Sequence, residues 1–301
     1  MAKPKKPGPA PRIEASSMLS PQVTEALLSQ LGASRTTDAV DEAQEIMFDA
    51  WDCDDRRRRV ALARKALKVS PLCADAYVLL ARETALTPEA TLDLYVKGVA
   101  AGEGALGEAA FKEDVGLFWV LIETRPYMRA RQGLALAQWA CGRREEAASG
   151  AEDMLRLNPN DNQGIRYLLI DWFLQLGQDD KAALLFKRYE RDGGTEWLWP
   201  ATLAAFRAKG DAPASRNALK RAIAANANVA TYLLGRNKLP RRMPDLIATG
   251  NVDEAVAHVE QAMPTWTNTP GALEWLAKQV AGVQRRGGRA KAAVKSSNGE
   301  P

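Results

Sequence analysis

The 301-residue sequence contains one histidine, His258, and three scattered cysteines, Cys53, Cys73 and Cys141. One histidine is too few for a multi-histidine metal site, and no Cys-x-x-Cys pair supplies the thiolate alternative, so no metal site is expected. A His-assisted nucleophile would need His258 brought to a distant cysteine. Three is an odd number for a disulfide framework, and the cysteines are expected as reduced, buried thiols. No Walker loop or Gly-x-Gly-x-x-Gly fingerprint occurs, and Gly102-Glu103-Gly104 is too short and lacks a preceding strand. No uncharged apolar run reaches ~18 residues, so no membrane span is expected. The N-terminal region lacks the apolar stretch of a signal peptide, and a cytoplasmic location is the expectation. Nothing in this inventory supplies a catalytic or cofactor-binding constellation, so no cofactor is expected.

What is present is a spaced set of glycines. Gly142, Gly177, Gly210 and Gly250 lie 35, 33 and 40 residues apart, and each leads into a segment carrying alanine. A period of about 34 with a helix–glycine turn–helix pattern is the tetratricopeptide signature. A helix pair of this kind cannot bury its apolar face alone, so the expected fold is an all-α solenoid of stacked pairs. The units are placed at about 38–71, 72–100, 128–161, 162–195, 196–228 and 229–263. A segment inserted at 101–127 contains a helix expected near 112–122, and a capping helix is expected at 271–284. Thr87 and Pro88 read as N-cap and first residue of one helix. The core stretch as a whole is taken as 21–284, opening with a short helix at 21–33.

Charge is unevenly distributed. Lys3, Lys5, Lys6 and Arg12 sit at one end and Arg285, Arg286, Arg289, Lys291 and Lys295 at the other, so the net charge of +4 conceals a mildly acidic middle. The ends, 1–20 and 285–301, are rich in Pro, Gly or Ser and are expected to be disordered. Contact of these basic ends with nucleic acid is an open, unfavoured reading.

Three stretches exceed what a generic repeat needs: Phe118 to Ala130 (FWVLIETRPYMRA), Leu157 to Leu169 (LNPNDNQGIRYLL) and Tyr232 to Pro240 (YLLGRNKLP). Together they resemble bacterial tetratricopeptide-like relatives of the suppressor-of-tumorigenicity-7 family, over roughly residues 40–265. The resemblance implies a helical-repeat protein without established enzymatic chemistry.

A function follows from the repeat. The first helix of each unit is expected to line the concave face, presenting Arg129, Gln132 and Trp139 from one unit and Gln163, Arg166 and Phe173 from the next. Two guanidinium groups flanked by amides suit a carboxylate, with Trp139 and Phe173 as apolar walls. The expectation is a non-enzymatic scaffold binding a protein or peptide partner, with an acidic segment favoured. The competing readings are that these arginines pair internally, with Glu123, Asp161 or Asp171, or that an unrecognised carboxylate pair makes an enzyme. His258 is expected to be solvated or half-buried.

Overall fold

The computed structural model describes residues 36–244 and 247–281. The basic ends, the helix expected at 21–33 and the last residues of the expected capping helix lie outside them. Among the described residues there is no strand. The helices are α1 (Asp38–Trp51), α2 (Arg56–Val69), α3 (Ala74–Thr84), α4 (Pro88–Glu113), α5 (Arg125–Ala140), α6 (Arg144–Leu157), α7 (Ile165–Gln175), α8 (Asp179–Arg188), α9 (Thr195–Lys209), α10 (Pro213–Ala225), α11 (Asn228–Leu233) and α12 (Val252–Thr267). A last helix, α13, covers 272–281.

The turn glycines explain the pairing. At Gly142 the backbone takes φ 77°, and at Gly177 φ 70°, the left-handed region open to glycine. A Cβ at either position would meet nothing within 4 Å, so conformation rather than crowding demands glycine. Arg143 N–H donates to the Gln138 carbonyl at 2.9 Å and Gln178 N–H to that of Phe173 at 2.8 Å, the long bond of a Schellman helix end. Five residues after each turn glycine comes a small residue with no exposure: Ala147, Ala182, Ser215 and Ala255. Helices α1/α2, α3/α4, α5/α6, α7/α8, α9/α10 and α11/α12 pack as pairs, and each second helix also packs on the first helix of the following pair. The protein is an all-α, tetratricopeptide-type solenoid.

The inserted helix differs in position from the expectation. Helix α4 runs on to Glu113, broken at Gly107, where φ is 70° and ψ 167°. Within the stretch expected as an insertion, 101–113 thus belong to α4, on either side of the Gly107 break, and 125–127 open α5. Residues 114–124 form successive turns, not the helix expected at 112–122, with Gly116 at φ 96°. Phe118 is nonetheless fully buried, against Phe111 and Tyr127 at ring distances of 5.2 and 5.9 Å. The apolar run was a core signal without helical periodicity.

Three apolar clusters follow one another along the solenoid. Ala43, Met47, Ala63 and Leu79 centre the first; Tyr127, Met154, Leu169 and Trp197 the second; Trp199, Leu219, Val259 and Trp266 the third. Helix α9 belongs to two of them, giving Trp197 to the second and Trp199 to the third.

The first helices of the pairs also touch one another, α1 with α3, α3 with α5 and α7 with α9, whereas α2, α4, α6, α8 and α10 show no comparable packing among themselves. Neighbours that approach on one side and separate on the other define a curve, with α1, α3, α5, α7 and α9 on its inner face.

Candidate functional site

The six residues expected to form a peptide site lie on α5, on α7 and in the turn before it, but their chemistry is largely committed inside the protein. Arg129 Nε donates to Asp75 Oδ1 at 2.8 Å, and Gln44 Nε2 donates to Asp75 Oδ2 at 2.9 Å; the Asp75 side chain has no exposure. Arg166 donates through Nε to Asp192 Oδ2 at 2.9 Å and through Nη1 to Asp161 Oδ2 at 2.8 Å. The two guanidinium groups thus serve different carboxylates, and the shared positive patch is not formed. Gln163 and Gln132 are brought together, Nε2 to Oε1 at 3.1 Å. Trp139 is half-buried and stacks on Trp172, with ring centroids 4.7 Å apart and planes 9° from parallel. Phe173 is a core residue, 2% exposed, rather than a groove wall. Helix α7 buries Ile165, Leu169, Ile170, Trp172, Phe173 and Leu174, apolar almost all round, so spacing could not say which side faced the groove.

The reason α7 is covered on both sides is α12. This helix packs on α7 and α9, both inner-face helices, and makes no comparable contact with α8 or α10. Its start is tied down by Glu254, whose Oε2 accepts from Thr195 Oγ1 at 2.7 Å, Asn226 Nδ2 at 2.9 Å and Gly250 N–H at 2.8 Å. At its far end Trp266 packs on Trp199 at 6.1 Å. The protein's own helix therefore occupies the inner face over the C-terminal half of the array.

A set of acids interacts near the start of α12. Burial, and then the charge of Glu196, push the Asp171 carboxyl up to about 7. Burial pushes Glu196 upward too, followed by the charges of Glu254 and Asp192. His258 is 4% exposed, correcting the expectation of a solvated ring, and burial holds its pKa down at about 4. Its Nε2 has no hydrogen-bond partner. Neither Asp171, Glu196 nor His258 lines any of the four described cavities.

Among the described residues, the inner face is open at the N-terminal end. A groove of about 330 Å³ runs between α1 and the start of α5, lined on one side by Val40, Gln44 and Phe48 and on the other by Ile122, Pro126 and Arg129. Phe48 is 44% and Ile122 64% exposed. Sequence reasoning missed both. The buried stripe of α1 comprises Val40, Ala43, Ile46, Met47 and Ala50, and Phe48 falls outside it. Asp161, in the stretch singled out for its polar residues, is a helix cap: Oδ1 accepts from Ile165 N–H at 2.7 Å and Oδ2 from Arg166 N–H at 3.0 Å.

No described helix is long and apolar enough to cross a membrane. Among known proteins, the family model of the ST7 protein matches residues 32–114, helices α1 to α4. The ST7 homologue of Drosophila pseudoobscura pseudoobscura is 26% identical over 271 residues, covering 79% of this chain and 48% of that protein. The Caenorhabditis elegans homologue is 27% identical over 281 residues, covering 77% and 49%. These relatives are animal proteins and give no support to a bacterial assignment. Among solved structures, YrrB, described as a TPR protein with an unusual peptide-binding site, aligns with TM-score 0.44 and 17% identity, over 67% of this chain and 90% of that one. The chain is thus similar to ST7 proteins, and it spans about half the length of the curated relatives it matches.

Proposed function

We propose that the protein is a non-enzymatic interaction scaffold that binds a segment of a partner protein on its inner face, in the groove between α1 and α5. The carrying observation is the contrast between the two halves of that face. Over α7 and α9 the chain supplies its own helix, while over α1 and α5 exposed apolar side chains, Phe48 and Ile122, line an open groove. A helix laid into an apolar groove is a common recognition mode, and α12 is an example of it in cis. The acidic partner favoured by the arginines loses its support, because Asp75, Asp161 and Asp192 already hold Arg129 and Arg166. The enzyme reading loses support because Asp171 and Glu196, the acids with raised pKa, line none of the described cavities.

The test is affinity capture followed by mass spectrometry, comparing wild type, a Phe48→Ser/Ile122→Ser groove variant and Leu184→Ser. Leu184 is 69% exposed on α8, away from the groove. Proteins lost with the groove variant and kept with Leu184→Ser are the expected result. Capture indifferent to both variants would sink the reading.

A further inference from the structure

We infer that the α1/α5 groove selects a basic segment: apolar anchors flanked by lysine or arginine. The inference deepens the scaffold reading and rests on it. Helix α1, Asp38–Trp51, carries Asp38, Asp41, Glu42, Glu45 and Asp49 and no cation. Of these, Asp41 and Glu45 line the groove, and Glu123 faces them from the turn before α5. Among the described residues none of the three forms an ion pair, and Asp41 accepts a hydrogen bond from the Thr36 hydroxyl.

The cations of the groove are spoken for. Arg129 is held by Asp75, which lies behind it with no exposure and cancels its charge locally. Arg125 donates through Nε to the Trp119 carbonyl at 2.9 Å and lies over the Trp119 ring at 5.6 Å. The groove thus offers an apolar floor of Val40, Phe48, Ile122 and Pro126 with three unpaired carboxylates on its rim. A cation entering beside them gains attraction without displacing an existing partner, while an acidic segment meets like charge at Asp41, Glu45 and Glu123, against the single guanidinium of Arg125 whose partners are a carbonyl and a ring. A cavity of 330 Å³ lies at the small end of the range for ligand sites, suited to anchor side chains projecting from a segment. The polarity is opposite to the one Arg129 and Arg166 suggest from sequence, because buried acids neutralise those arginines and leave the acids of α1 free.

The experiment is fluorescence anisotropy on the full chain. Two labelled synthetic peptides are compared, each with leucines at i and i+4, one flanked by lysines and the other by glutamates. The lysine peptide is expected to bind, to weaken as NaCl is raised, and to lose about tenfold in affinity with Glu45→Lys/Glu123→Lys. Glu45 is exposed and Glu123 half-buried, and circular dichroism checks that the variant is folded. Equal binding of the glutamate peptide, or no response to the double charge reversal, overturns the inference and leaves the scaffold reading in place. Failure of both peptides overturns the inference too, and the scaffold reading then stands on whether Phe48→Ser/Ile122→Ser loses captured proteins. Lysine-peptide binding that emerges only with Leu27→Glu/Leu31→Glu assigns the groove to the chain's own N-terminal region and overturns its assignment to a partner.

Discussion

Arg129 on α5 and Asp75 on α3 are 54 residues apart in sequence and joined by an N–H···O bond of 2.8 Å that ties neighbouring inner-face helices together. The carboxylate is fully buried and the guanidinium largely so. Such a pair stabilises little relative to an apolar replacement, but removing one member strands the other. Arg129→Ala is expected to cost about 3 kcal/mol by urea denaturation, whereas Arg129→Met with Asp75→Leu costs less than the single change. Equal losses in the single and double variants would show that the pair is not coupled. The practical corollary is that Arg129→Glu probes folding, not recognition, and is unsuited to mapping a partner.

Asp171 and His258 make opposite demands on pH. The folded Asp171 carboxyl titrates near 7 against an ordinary 3.8, so the folded state holds a proton that the unfolded chain releases. Its contribution to stability is greatest below about 4 and is lost as pH rises towards 7. His258 titrates near 4 against 6.5, so the unfolded chain binds the proton first. Its contribution is present above 6.5 and is lost as pH falls towards 4. The two slopes oppose each other over the shared window. Asp171→Asn is expected to leave a protein that weakens on acidification from 6.5 to 4, and His258→Gln one that weakens as pH rises from 4 to 7. Thermal melts across that range read both slopes, and parallel curves for the two variants would refute the assignment.

Two helical glycines should respond oppositely to alanine. At Gly102 on α4 a Cβ would meet the Tyr127 Cβ at 2.9 Å and its Cα at 3.2 Å, atoms that cannot move unless α4 and α5 separate. Gly102→Ala is expected to destabilise by about 1–3 kcal/mol through overpacking. At Gly150 on α6 the nearest atoms are 3.9 Å away, in flexible side chains. Gly150→Ala gains helix propensity of up to about 1 kcal/mol. Chemical denaturation distinguishes the two signs.

The cysteines should separate by reactivity. Cys73 is 1% exposed, and burial pushes its thiol up to about 11. Cys53 and Cys141 are half-buried. Since the thiolate is the reactive form, a maleimide near neutral pH is expected to label Cys53 and Cys141 in the native protein and Cys73 only after denaturation. Mass spectrometry of peptides locates the label, and rapid native labelling of Cys73 would contradict the burial described for it.

The repeat was legible because turn glycines and small core residues are local signals. Gly142 with Ala147 and Gly177 with Ala182 each fix a turn and a close packing within one short stretch. Thr87 was readable for the same reason, as its Oγ1 accepts from Ala90 N–H at 3.2 Å. The groove was not legible. The charge state of the inner face depends on Asp75 reaching Arg129 from another unit, 54 residues away, and on Asp192 reaching Arg166 from the far end of the same unit, pairings that helical spacing does not encode. His258 likewise was expected solvated or half-buried, because helical spacing cannot reveal that α12 packs on α7 and α9. The sign that could have been found in sequence was the composition of α1, five acids without one cation.

The seat of α12 also bears on the order in which the chain acquires its structure. In an ideal solenoid each pair rests on its neighbours, and ordering can spread from any point. Helix α12 pairs with its neighbour α11 but also touches α7 and α9, so the inner-face part of its docking surface does not exist until those helices are aligned. Bringing it there closes a long loop, whose entropic cost precedes any reward from contact. The inner face of the C-terminal half is therefore filled last as the protein folds and vacated first as it unfolds, and native-state hydrogen exchange should find the amides of α12 opening ahead of those of α7.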